Sequence, residues 1–344
     1  VTSPLFIIGT ERSGTNLLRL ILNAHSAIAV PHPPHIVKLF DPLELLYGNL
    51  AVDANFRRLI KDVCRLVELH TYPWEIMPNR EAVFRDVQER NLLCIYFAVY
   101  DQFLSFTGKQ RWCCKSTFMI EHVADILSYY PDARFIFMVR DGRDVAASAK
   151  SSIFNHFHVY YSALRWQREQ RRGLEWLATL PPEQILLLKY EDLISDVEAT
   201  VRKLCVFLGE PFEEQMLAYH LSGEARKSGA LSVSWENTAK PVIKGNANKY
   251  RCQLTQKEIM QFEAIAHEEM QELSYRLDNP LELLLQKQSE LTVARFSYRL
   301  SELQLKIKAE INHLIKDKNS AARLRKNLYM SYIRLLRRMS TPNA

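Results

Sequence analysis

The stretch Gly9-Thr10-Glu11-Arg12-Ser13-Gly14-Thr15 has the composition of a loop that holds an anion. Glycines let a backbone turn tightly enough for successive N–H groups to face one centre, and a helix starting just beyond adds its positive end. The two-glycine spacing is that of a phosphate-binding loop, but Thr15 stands where such a loop carries lysine. Arg12 can replace that cation, and its planar fork of donors suits a phosphate or sulfonate. The specific lysine and the adjacent magnesium-binding hydroxyl of a nucleoside triphosphatase are both missing. The loop therefore predicts a nucleotide donor handled without a metal.

A loop of this kind needs a strand before it and a helix behind it. Leu5-Phe6-Ile7-Ile8 is a short apolar run, and Leu17 to Leu22 is long enough for a helix. The pattern recurs at Arg134 to Val139, followed by a helix from Asp144 to Lys150. It recurs again at Ile185 to Tyr190, followed by a helix from Glu198 to Leu208 that Gly209 closes. Three strand-to-helix units predict an α/β fold: a P-loop-like parallel sheet flanked by helices, with ligands at the carboxyl ends of the strands. Residues 42–107 read as a helical insertion. Residues 222–250, without a clear period, read as a lid.

Two further motifs carry a resemblance. Arg12-Ser13-Gly14-Thr15 after an apolar strand is similar to the 5'-phosphosulfate loop of sulfotransferases that use 3'-phosphoadenosine 5'-phosphosulfate (PAPS). Arg140-Asp141-Gly142-Arg143-Asp144, with Ser148 eight residues after Arg140, resembles that family's 3'-phosphate motif. Arg140 leaves a strand end and Ser148 lies near the first turn of the next helix, so both can face one anion. Lys189-Tyr190-Glu191-Asp192-Leu193 and Lys240-Pro241-Val242 with Lys249-Tyr250 extend the likeness, the latter toward the bacterial and protein-tyrosine sulfotransferase-like branch. The resemblance runs from about residue 5 to about 277. It implies that Arg12, Ser13, Gly14, Thr15 and Asn16 hold the 5' side and that Arg140 and Ser148 hold the 3'-phosphate. Tyr190 and Lys240 would help hold the nucleotide, with PAP as product.

In-line transfer at sulfur needs cations on the sulfonate and a base for the acceptor. Arg12 and Lys115 are the cation candidates, Lys115 because Trp112 to Phe118 resembles the family segment whose lysine contacts the transferring group. Related enzymes carry an acidic residue shortly after the first helix, whereas Pro31-His32-Pro33-Pro34-His35 stands here without a carboxylate. A histidine stiffened by prolines can move the same proton. His35 ranks first as the base and His32 second, with His156 and His158 in reserve and His25 assigned to packing. Acceptors implied by the resemblance are sugars, protein tyrosines, lipids and small alcohols or amines.

Charge divides the chain at Pro280. Residues 281–344 hold 13 Lys/Arg against 5 Asp/Glu, and the remainder 32 against 34. The basic segment interleaves Leu291, Tyr298, Leu305, Ile307, Leu324, Leu328, Ile333 and Leu335 with arginine and lysine, as amphipathic helices do. A sulfotransferase domain over 1–279 and a basic helical extension over 280–344 are expected. The extension would serve self-association or an anionic membrane surface and be dispensable for transfer to a small acceptor, and no nucleic acid is expected as partner. No apolar run reaches the ~20 residues of a membrane span, and six cysteines without metal spacing suit a reducing compartment. A cytoplasmic or membrane-peripheral location follows, or the Golgi lumen had an anchor been removed. Two rival readings use the same loop: a nucleotide kinase or triphosphatase, which would want the lysine and a magnesium-binding carboxylate, and a non-catalytic nucleotide-binding adaptor.

Overall fold

The computed structural model describes residues 3–340 apart from 151, 153–156, 232, 294 and 317–318. Five parallel strands form the sheet: β1 (Leu5–Gly9), β2 (Ile28–Ala29), β3 (Arg111–Cys114), β4 (Arg134–Val139) and β5 (Ile185–Lys189), in the order β2-β3-β1-β4-β5. β1 is buried along its whole length because side chains on both faces are covered. Phe6 and Ile8 point into one hydrophobic cluster, while Leu5 and Ile7 point into the other, the two-residue alternation of a strand. Gly9 pairs with Met138, and Val139 with Lys189. The loops after β1, β4 and β5 therefore leave the sheet along one edge.

The smaller cluster packs α1 (Thr15–Asn23), α9 (Tyr190–Ser195) and α10 (Val197–Leu208) on one face. The larger cluster takes in α2 (Ile36–Phe40), α3 (Asp53–Glu68), α4 (Arg80–Asp86) and α5 (Leu92–Thr107), all between β2 and β3. It also takes in α6 (Val123–Tyr129), α7 (Gly142–Lys150), α8 (Val159–Thr179), α12 (Tyr250–Gln253) and α13 (Gln256–Glu272). Within residues 222–250, read from sequence as an aperiodic loop, lies a helix, α11 (Gly223–Leu231). Its Glu224 pairs with the buried Arg19 at 2.6 Å, a long-range contact that local periodicity does not encode.

The C-terminal residues form α14 (Leu281–Val293), α15 (Arg295–Lys316) and α16 (Ser320–Ser340). Leu284, Leu291, Met330 and Ile333 are buried in the larger cluster. Glu302 accepts from the backbone N–H groups of Phe157 and His158 at 3.1 and 2.8 Å. Arg337 donates to the buried Asp62 of α3 at 2.6 Å, and Tyr47 and Tyr329 donate to the same carboxylate at 2.8 and 3.3 Å. These helices are thus seated on the sheet domain and its helical insertion. No described helix is long and apolar enough to cross a membrane.

Candidate active site

The glycine loop begins where β1 ends and closes at Gly14, whose φ of 89° caps α1 in a left-handed conformation. A Cβ there would come within 2.3 Å of the Tyr190 ring, so glycine is required by both backbone and space. Arg12 is also left-handed, at φ 77°. The loop is fixed from behind, with Gln170 donating to Thr10 Oγ1 at 2.7 Å. Glu11 pairs with Lys38 at 2.9 Å and Arg165 at 3.2 Å. Burial opposes the charge on Glu11, but Arg165 and Lys38 outweigh it and hold the carboxyl well below its usual range.

Arg12 Nε donates to Ser148 Oγ at 3.1 Å, which ties the first motif to the second. Arg140 leaves β4, donates to the backbone oxygens of Arg12 at 3.3 Å and Asn246 at 2.9 Å, and lies 4.4 Å over the Tyr190 ring. Tyr190 OH accepts from Asn246 at 2.6 Å. The rest of the second motif is structural. Arg143 is buried against Asp141 at 2.7 Å and Glu263 at 2.5 Å, and Asp144 accepts the backbone N–H groups of Asn248 and Tyr250, each at 2.8 Å. Asp144 thereby brings the 246–250 loop to the site.

Burial and the neighbouring Arg140 both depress the Arg12 pKa, as expected of two guanidinium groups sharing one place. Three buried polar atoms here have no hydrogen-bond partner among the described residues: Ser13 Oγ, Asn16 Nδ2 and Arg140 Nε. Leaving a buried donor unmade costs about 1–3 kcal/mol each, so a donor set of this kind suits an anionic ligand. Asn16 is oriented by Arg19, a fully buried residue on α1 that donates to Asn16 Oδ1 at 2.8 Å, Glu224 at 2.6 Å and Ser228 at 2.9 Å. The sequence reading did not select Arg19. Its signal was a lone arginine in the apolar run Leu17 to Leu22.

The two motifs meet at one cavity of about 990 Å³, at the upper end of the range for small-ligand sites. Arg12, Gly14, Thr15, Asn16, Arg140, Ser148 and Tyr190 share its wall with His32, His35 and Lys115. Ser13 lies buried just behind. Lys240 is not brought there: it is exposed, with its Nζ 3.3 Å from Asn237 Oδ1, while Asn246 and Lys249 of the same region line the cavity. His25 is engaged in packing, with Nε2 on Pro211 O at 2.9 Å. His158 caps α8 and does not line this cavity, although Phe157 next to it does, and His156 lies outside the described residues.

Lys115 follows β3, and burial with the nearby Arg19 pushes its ammonium down to about 8. No carboxylate pairs with it among the described residues. His35 sits left-handed at φ 56° at the start of α2, with Nδ1 3.1 Å from Ser116 Oγ. His32 is buried among His70, Tyr72 and Trp235, with ring centroids 5.3, 5.0 and 4.8 Å away, and neither ring nitrogen has a partner among the described residues. Burial lowers both pKa values well below that of an ordinary histidine, reinforced for His32 by Lys115 and for His35 by Lys38. Both rings are therefore neutral, and able to accept a proton, at neutral pH.

The chain is 24% identical over 247 residues to the protein-tyrosine sulfotransferase of Drosophila melanogaster, covering 70% of this chain and 44% of that one. It is 23% identical over 248 residues to protein-tyrosine sulfotransferase A of Caenorhabditis elegans, covering 70% and 59%. The chain thus spans less than two thirds of the length of these relatives. Its fold resembles the sulfotransferase domain from the curacin biosynthetic pathway, with TM-score 0.52 and 19% identity over 80% of this chain and 99% of that one. A second similar fold is the sulfotransferase domain of the Synechococcus PCC 7002 olefin synthase, with TM-score 0.52 and 20% identity over 80% and 96%. Residues 4–214, which contain the glycine loop, Lys115, the Arg140 motif and Tyr190, match the profile of the sulfotransferase family, and the chain belongs to that family.

Proposed function

We propose that the chain transfers a sulfuryl group from PAPS to a hydroxyl or amine acceptor by in-line displacement. The observation that carries this reading is the pair of unpartnered buried donors Asn16 Nδ2 and Arg140 Nε beside the Arg12 and Arg140 guanidinium groups in one cavity, with the unpartnered Ser13 Oγ buried in the same loop. They suit a ligand with two anionic ends. The donor supplies an activated sulfonate: the acceptor oxygen or nitrogen bonds to sulfur, the bond from sulfur to the phosphate oxygen breaks, and the nucleotide leaves as PAP. Arg12, Ser13 and Asn16 hold the 5' side. Arg140 and Ser148 hold the 3'-phosphate, and Tyr190 supports Arg140 from below.

The protein's part in the chemistry is charge placement and one proton transfer. Lys115 stabilises charge on the sulfonate and on the departing phosphate oxygen. His35 takes the acceptor proton, with Ser116 fixing its ring, and His32 is the second candidate. The test is transfer of labelled sulfur from PAPS to an acceptor panel in the presence of a metal chelator. Transfer that persists supports the reading, and strict dependence on ATP and magnesium would replace it with the kinase alternative.

A further inference from the structure

The C-terminal helices supply part of the cavity wall. Lys306 and Glu310 of α15 and Arg323, Lys326 and Asn327 of α16 line the same space as His32, His35, His70 and Lys115. Buried contacts hold α16 there, namely Met330 and Ile333 in the core and Arg337 on Asp62. Asn319 Nδ2 also donates to Thr71 O at 2.8 Å. Lys306 lies 3.3 Å from Glu302, and Arg323 pairs with Glu310. Lys326, by contrast, pairs with no carboxylate among the described residues. It is half-buried, and burial together with Arg323 and Lys38 lowers its pKa. A partly desolvated ammonium in cationic surroundings is unfavourable without an anion to face.

We propose, on the premise of the transfer reaction above, that α16 forms a wall of the acceptor chamber and that Lys326 holds an anionic group carried by the acceptor. The acceptor class is then a hydroxyl compound that also bears a carboxylate or phosphate. The rings of His32 and Trp235, tilted at 52° with centroids 4.8 Å apart, line the same cavity and offer apolar edges and faces to an aromatic acceptor. The extension thereby contributes to acceptor specificity.

The test uses the full chain saturated with PAP and measures binding of four matched phenols by calorimetry: p-cresol, 4-hydroxyphenylacetate, (4-hydroxyphenyl)methylphosphonate and tyramine. The anionic pair should bind about tenfold or more tightly than p-cresol, the gain expected of one charge-assisted contact, with tyramine weakest. The order within that pair tells a carboxylate site from a phosphate site. Lys326→Met should erase the preference and Lys326→Glu should turn it toward tyramine, with PAP affinity retained in both. Equal binding of all four, no binding of any phenol to the PAP-loaded chain, or a preference unchanged in both variants overturns the inference. Failure to bind PAP strikes the transfer reading itself, and this inference with it.

Discussion

Replacing Arg337 by alanine removes the cation that reaches from α16 to Asp62 at 2.6 Å. Asp62 is 5% exposed and would keep only the Tyr47 and Tyr329 hydroxyls, neither of which carries charge. Breaking a buried pair by deleting one partner costs about 3–5 kcal/mol, because the other charge is left without compensation. One kcal/mol shifts Tm by about 2–4 °C in chains of 150–250 residues and by less in longer ones, so a fall of about 5–10 °C is expected here. Urea and thermal unfolding of the full chain measure it. The double substitution Asp62→Asn with Arg337→Met should recover much of the loss, since the introduced amide oxygen still accepts from Tyr47 and no charge remains buried. A loss under about 0.5 kcal/mol in Arg337→Ala, the size expected of an exposed pair, would refute the seating of α16 on α3.

Three other outcomes follow from the site. Gly14→Ala places a Cβ 2.3 Å from the Tyr190 ring at φ 89° and should lower PAP affinity at least about tenfold at a stability cost of about 1–3 kcal/mol, checked by titration beside thermal unfolding. Donor affinity should fall as pH rises through about 8, where Lys115 loses its charge, and Lys115→Arg should move that limb upward. Turnover needs a neutral histidine, whose lowered pKa sets the acid limb below the ordinary histidine value of about 6.5, so activity is lost only under more acidic conditions.

Much of this was legible in the sequence. β1, β4 and β5 are apolar runs that end on the residues bearing the motifs, and local pattern suffices for them. β2 has two residues, and β3 begins with Arg111, whose charge hides a strand because its partners, Ser3 O and Glu210, are distant in sequence. Lys115 was reachable through its motif. Arg19 shows in the sequence only as a lone arginine in an apolar run, and Lys326 not at all, since the roles of both depend on helices that meet only after folding. The apolar residues of α16 were likewise visible without showing which face turns inward: Ile333 is buried, whereas Leu324, Leu328 and Leu335 are exposed. Amphipathic spacing identifies a helix with a seat but does not say where it sits.

The most direct measurement compares the affinity of PAP with that of adenosine 5'-phosphate, for the unaltered chain and for Arg140→Ala. Arg140 and Ser148 together should make the 3'-phosphate worth about a hundredfold, with most of that ratio lost in Arg140→Ala while adenosine 5'-phosphate binding changes little. Equal affinity for the two nucleotides, or a ratio that survives the substitution, would contradict the assignment of this cavity to a PAPS donor.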